Sequence, residues 1–221
     1  MMKTNKRHIL SLFSLILIVI ATSFTGILLT HYGPAVFDPA LLLIFRNSDD
    51  LSVMKGPEWI HHFWLSLTWL GDTLPRIIIA SLTIAALLLI RRWRSVLFML
   101  GVLLSGVVLS TFLKHWVGRP RPQLVPHLDH VGSQSFPSNH TLNSTLFYFT
   151  VAIVLSPLLS SYHARRMLYL AAFILSIASG LSRIALGVHW PSDVLASWLI
   201  ASAWLSFWYL LAKYYWPKLG Y

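Results

Sequence analysis

Six apolar runs decide what this chain can become. They cover about 9–30, 73–90, 95–113, 141–162, 167–187 and 194–212, and a helical bilayer crossing takes roughly 20 apolar residues. A helix satisfies its own backbone hydrogen bonds in lipid, so such runs read as spans. The expectation is an all-α, polytopic membrane protein with six transmembrane helices, forming a single domain over residues 1–221. The second run is the weakest, because Arg76 lies near its start and its uncharged part, 77–90, is short. The first follows Lys3, Lys6 and Arg7 and so has the charge pattern of a signal peptide. Its uncharged length, 9–30, is long for a signal core and no small-x-small cleavage site follows, which favours a retained helix.

Composition narrows the classes further. Only 11% of residues are charged, against about 25% in soluble domains. With no cysteine, disulfides, thiol catalysis and thiolate metal sites are all excluded. The net charge of +10 does not point to nucleic acid, since the basic residues mostly flank apolar runs. With the N-terminus placed in the cytoplasm and sides alternated, the cytoplasmic segments hold Lys3, Lys6, Arg7, Arg91, Arg92, Arg94, Arg165, Arg166, Lys213 and Lys218. All seven acidic residues then fall outside. The positive-inside rule therefore expects both termini in the cytoplasm of a bacterial-type inner membrane.

The outer segment 31–72 is more than a loop. Asp38 and Pro39 open a short helical stretch, and Gly56-Pro57 precede a second one carrying Trp59, Phe63, Trp64 and Trp69. Tryptophans favour headgroup depth, so both pieces are expected as short interfacial helices on the outer side. His61 and His62 suit that interface better than a metal, because adjacent helical residues point about 100° apart. The outer loop 115–137 carries four prolines and reads as a stiff extended excursion. Its His127, Asp129 and His130 lack further ligands in register for a metal. Gly101 and Gly106 in the third run permit close helix packing, and Arg91–Arg94 and Arg165-Arg166 read as basic cytoplasmic turns.

Three clusters converge on the outer side. Lys114 ends the third span, His140 starts the fourth, Arg183 ends the fifth and His189 precedes the sixth. The 41 residues between His140 and Ser182 suffice for one crossing inward and one return at ~1.5 Å per residue. Asp193, four residues after His189, is placed either to cap a helix or to hold one imidazole nitrogen and orient the other, as a nucleophilic histidine requires. Lys114, Arg121 and Arg183 near a bundle mouth demand an anion, and Asp193 is the only obvious partner in the clusters. A phosphate fits that surplus of cations.

Lys114-x6-Arg121-Pro122, Pro137-Ser138-x-His140 and Ser182-Arg183-x5-His189-x3-Asp193, in that order, closely resemble the three-part signature of the type 2 phosphatidic acid phosphatase (PAP2) family. The motifs occupy 114–193, and the six-span layout extends the resemblance over nearly the whole chain. One position departs: Asn139 stands where the family has glycine, and altered or reduced turnover is expected from it, since asparagine tolerates left-handed backbone. The resemblance implies a metal-independent lipid phosphatase with no cofactor, working through a phosphohistidine. His189 would attack phosphorus, Asp193 would fix its tautomer, and His140 would protonate the leaving oxygen and then activate water. Lys114, Arg121, Ser138, Asn139 and Arg183 would hold the phosphate oxygens.

The implied partners are a lipid phosphate substrate and the bilayer itself. No nucleic acid and no obligate protein partner is implied. Undecaprenyl pyrophosphate, phosphatidylglycerophosphate, phosphatidate and lipid A phosphates all present a phosphate at this depth. A phosphotransferase using a polyprenyl pyrophosphate donor carries the same motifs and differs only in the acceptor. A transporter is the alternative from another class, disfavoured because the charges gather at one end rather than at the midplane. A vanadate-dependent haloperoxidase shares the motifs, but six spans and a lipid-level site disfavour it.

Overall fold

The computed structural model describes residues 2–216, and among them it contains eight α-helices and no strand. They are α1 (Met2–Tyr32), α2 (Asp38–Leu43), α3 (Trp59–Leu70), α4 (Thr73–Leu89), α5 (Trp93–Val117), α6 (Asn139–Leu155), α7 (Tyr162–Ala185) and α8 (Pro191–Tyr215). A 3₁₀ turn over Ser156–Leu158 extends α6. Five segments are long and apolar enough to cross a membrane alone: Leu10–Tyr32, Trp93–Val117, Asn139–Leu158, Tyr162–Ala185 and Pro191–Tyr215. Lys218 of the expected cytoplasmic set lies outside the described residues.

The second expected span is the one that needs help. With 17 residues, α4 reaches only about 25 Å at ~1.5 Å per residue, short of the ~30 Å hydrocarbon core. It joins α3 across Gly71 and Asp72 with a bend of 42°, and the pair together is apolar enough to span. Counted with α4 as one bent span, α3 completes a sixth candidate crossing; it is also the second of the two short helices expected in 31–72. Its outer-facing Trp59, Phe63 and Trp69 remain exposed, while Trp64 packs edge-on against Phe45, 5.4 Å between ring centres.

Two helix starts move relative to the hydropathy runs, both for capping reasons. Ser161 accepts the Ala164 N–H at 3.4 Å and starts α7 at Tyr162, so Arg165 and Arg166 belong to its first turn and not to the preceding loop. Pro191 opens α8 at the first helical position, where its missing N–H is harmless, and this brings Asp193 into the first turn.

The core lies between α5, α6 and α8. Phe98, Met99 and Val102 meet Leu142, Leu146, Ile200 and Ala201, all fully buried. Small residues set the spacing: a Cβ at Gly101 would stand 2.6 Å from the Trp208 ring, and one at Gly106 would strike Leu146. The most extensive pairings are α6 with α7 and α1 with α8. Exposed Phe13, Phe24, Ile77 and Leu82 give α1 and α4 apolar outer faces suited to lipid.

Candidate active site

Four helix ends deliver the site. Gly118, at φ 65°, ends α5 in the left-handed conformation that glycine adopts freely, leaving Lys114 in the last turn with its ammonium on the Gln134 carbonyl. The proline-rich segment after it carries Arg121, which donates to the carbonyls of Ser133 (2.7 Å) and Val188 (2.5 Å). Asn139 and His140 form the first turn of α6, and Arg183 the last turn of α7. The chain then reverses through Gly187 at φ 75°, where a Cβ would meet Val125 at 2.8 Å, and presents His189.

Lys114, Arg121, Asn139, His140, Arg183 and His189 line one cavity of about 250 Å³, together with Asp72 and Asp129. A larger groove of about 610 Å³ borders α1 and α8, but serine, tyrosine and aliphatic side chains line it and no charged group enters. The chemistry belongs to the smaller cavity.

His189 is buried, with Nε2 3.2 Å from Arg121 Nη1. Its Nδ1 lies 3.4 Å from Ser135 Oγ and 3.6 Å from Asp193 Oδ2. That second distance exceeds a direct hydrogen bond. Ser135, which donates its hydroxyl to the same carboxylate oxygen, stands beside the gap. The acceptors sit on the Nδ1 side, which favours the proton there and leaves the Nε2 lone pair toward the cavity. Burial, then the charges of Arg121, Lys114 and Arg183, hold the imidazole well below the ordinary histidine value and therefore neutral. Burial and Arg183 also lower Arg121 to about 10, which leaves it protonated at neutral pH.

Asp193 is fully buried and takes the capping role directly, while it faces the imidazole at 3.6 Å beside Ser135. It accepts the Trp190 N–H at 3.1 Å as a first-turn cap and binds Arg119 at 2.5 Å.

His140 directs Nε2 at Asp72 Oδ1 (3.1 Å) and at the Thr68 carbonyl (3.0 Å). The bend between α3 and α4 makes this possible, since a Cβ on Gly71 would lie 3.1 Å from the His140 ring. Arg183 donates from Nη1 to Thr68 Oγ1 and to Asp129 Oδ2, each at 2.6 Å.

Two expectations need correction. Ser138 does not line the cavity: it is fully buried, caps α6, and accepts from the Thr141 hydroxyl at 2.9 Å. Its own N–H donates to Ser197 Oγ at 2.8 Å, so the backbone donor is taken as well. The cation surplus is also smaller than the clusters suggested, because Asp129 and Asp72 bring two carboxylates to a wall with Lys114, Arg121 and Arg183. Asn139 faces the cavity, and its buried Oδ1 makes no hydrogen bond.

Sequence reasoning passed over Arg119, Asp38, Ser135, Thr68 and Asp72 as site residues, and weighed Asp129 only as a metal ligand. Arg119 and Asp72 had a local signal, one standing two residues before Arg121 and the other at the foot of a weak span. Asp38 had none beyond its place beside Pro39 at a helix start. Of the histidines weighed as metal ligands, His130 lines the cavity, His61 and His62 lie with ring centres 5.9 Å apart, and His127 Nε2 is 2.7 Å from the Pro122 carbonyl.

Comparison with known proteins agrees with this geometry. The PAP2 superfamily model matches residues 95–217. Phosphatidylglycerophosphatase B of Bacillus subtilis is 34% identical over 150 residues, covering 65% of this chain and 71% of the relative. Lipid A 1-phosphatase of Rhizobium johnstonii is 29% identical over 52% of this chain and 46% of its own. The crystal structure of a transmembrane PAP2-type phosphatidylglycerolphosphate phosphatase from Bacillus subtilis superposes with a TM-score of 0.75 at 26% identity. That superposition covers 95% of this chain and 97% of the other. The helical bundle, the cation-lined cavity at its mouth and the match over more than half the chain place this protein in the PAP2 superfamily, beside integral-membrane lipid phosphatases.

Proposed function

We propose that this protein dephosphorylates a membrane lipid phosphate or pyrophosphate without a metal ion, through a phosphohistidine on His189. One observation carries the reading: His189 Nε2 enters a cavity walled by Lys114, Arg121 and Arg183, while Nδ1 faces Ser135 and Asp193. In the first step Arg121 leaves Nε2 for a phosphate oxygen, Nε2 bonds phosphorus, and the phosphorus–oxygen bond to the lipid breaks. His140 gives its proton to the departing oxygen. In the second step His140 takes a proton from water, whose oxygen displaces Nε2 and releases inorganic phosphate. Lys114 and the two arginines neutralise the charge that builds on the equatorial oxygens.

Phosphatidylglycerophosphate heads the substrate panel, because the relative and the solved structure that align over most of their lengths carry that activity in their names. Undecaprenyl pyrophosphate, phosphatidate and lipid A phosphates complete it. Phosphate release by purified protein in detergent micelles tests the reading. Release is expected to persist in EDTA and to fall with orthovanadate, whose trigonal-bipyramidal adduct on His189 imitates the transition state. Activity lost in EDTA and restored by magnesium would refute the mechanism. Label that passes to a second lipid instead of water would make the protein a phosphotransferase.

The cavity is placed on the extracytoplasmic face of a bacterial-type inner membrane, with both termini cytoplasmic. In this cysteine-free chain, Gln123→Cys on the exposed outer loop is expected to react with an impermeant maleimide in intact cells. Arg94→Cys, exposed at the start of α5, is expected to react only after permeabilisation. The opposite pattern inverts the topology.

Asp129 competes with substrate for Arg183 in this reading. Asp129→Asn is expected to strengthen inhibition by inorganic phosphate about tenfold, since one like charge facing the anion is removed. Weaker inhibition would mean that Asp129 supports phosphate binding instead.

A further inference from the structure

Behind His189 lies a charge cluster that the three motifs do not contain. Arg119 stands between two carboxylates, donating from Nη1 to Asp193 Oδ1 at 2.5 Å and from Nη2 to Asp38 Oδ2 at 3.1 Å. Arg119 is 1% exposed, and the two aspartates are not exposed at all. Ser192 ties the group together: its hydroxyl accepts from Arg119 Nη1 (2.8 Å) and donates to Asp38 Oδ2 (2.6 Å). The Ser192 N–H donates to Asp38 Oδ1 at 2.7 Å, and the Ala35 N–H to Oδ2 at 2.9 Å. Every partner of Asp38 is a donor, as a carboxylate requires. Arg119, the Ser135 hydroxyl and the Trp190 N–H likewise all donate to Asp193.

A neutral Arg119–Asp193 pair would be the cheaper buried arrangement, and a third charge adds a desolvation penalty. Two anions on one cation leave one net negative charge, on the side of His189 away from Lys114, Arg121 and Arg183. A substrate phosphate brings up to about two negative charges against those three, one of which Asp129 already pairs. The surplus then lies against the imidazole at the stage when Nε2 bonds phosphorus and the ring becomes cationic.

We propose that Asp38, which lies outside residues 95–217, is a positioning residue that acts through Arg119. It keeps Arg119 from cancelling the charge of Asp193, so that one unit of negative charge remains to stabilise the phosphorylated imidazolium. The proposal rests on the phosphohistidine reading above. It makes the outer segment before α3 part of the chemistry, through a contact spanning 81 residues to Arg119 and 154 to Ser192.

The test compares Asp38→Asn with the double variant Asp38→Asn/Arg119→Gln, using a labelled phosphate ester. Asp38→Asn is expected to lower kcat and the rate of phosphoenzyme formation about 10- to 100-fold, the effect of one unit of charge several ångströms from the ring at an effective dielectric of ~20. KM is expected to stay within about twofold, because the cations that grip phosphate are untouched. The double variant restores the single negative charge and is expected to be faster than Asp38→Asn alone. A purely structural role predicts that the second substitution adds damage, so a double variant as slow as or slower than the single one overturns the proposal. Unchanged kcat in Asp38→Asn, or a loss confined to KM, overturns it as well. Should Asp38→Asn not be recovered folded, Asp38→Ser makes the same charge change and leaves room for water beside Arg119, with the same outcomes. Failure of the wild-type protein to form any phosphoenzyme would refute the underlying mechanism, which separates that failure from this one.

Discussion

His189→Ala is expected to abolish turnover and to leave no phosphoenzyme on any substrate of the panel. The reason is positional. Nε2 of His189 is held at the cavity wall by Arg121 and by the reversal through Gly187, and Ser138 is buried as a helix cap. Label should be sought after an alkaline quench, since a phosphorus–nitrogen bond survives base and is cleaved in acid. The pH dependence carries a sign. Burial and three neighbouring cations lower the His189 pKa, so the ring keeps its lone pair as the pH falls through the ordinary histidine range. The acid limb of phosphoenzyme formation due to this group should lie below that range. Folding responds in the opposite sense: the unfolded chain takes up a proton near pH 6.5 that the native site resists, so this histidine's contribution favours unfolding as the pH drops. Phosphoenzyme in His189→Ala but not in His140→Ala would exchange the two roles.

His140→Ala should be graded by the leaving group. With a phosphate monoester, whose alkoxide departs poorly, the loss is expected to be ~10²–10⁴-fold, the range for a positioned general acid. A pyrophosphate or nitrophenyl ester needs little protonation, so the first step should survive and the second should stall for lack of a base. Phosphohistidine is then expected to accumulate on His189. Equal losses on both substrate types, with no accumulated label, would remove His140 from proton transfer. Asp72 and the Thr68 carbonyl both hold its Nε2 and so fix the orientation of the ring.

The sequence exposed what depends on periodicity and on local spacing. Apolar runs located the spanning helices, and the short order from Arg183 to Asp193 brought a cation, a histidine and a carboxylate to one helix junction. What stayed hidden depends on tertiary approach. Nothing near Asp38 in the chain hints that its carboxylate ends beside Arg119, and Arg119 reads as one more basic residue in a proline-rich loop. Hydropathy marked 73–90 as weak without revealing that Trp59–Leu70 joins it in one bent candidate span, because a 42° bend has no compositional signature. Ser138 was misplaced for a related reason. A serine before a helix can offer its hydroxyl to a ligand or to the helix, and only the packing of Thr141 and Ser197 decides between them.

The cavity of about 250 Å³ sets a kinetic regime. It falls below the ~300–1,000 Å³ of pockets that enclose a drug-sized molecule, so it admits a headgroup and leaves acyl chains in the bilayer. Enzyme and lipid therefore meet by diffusion in two dimensions, and the concentration that governs encounter is the mole fraction of substrate in the surface. Diluting the lipid with inert detergent should slow the reaction even when its bulk molarity is unchanged. Lengthening its chains should change the rate far less than replacing the group that bears the phosphate.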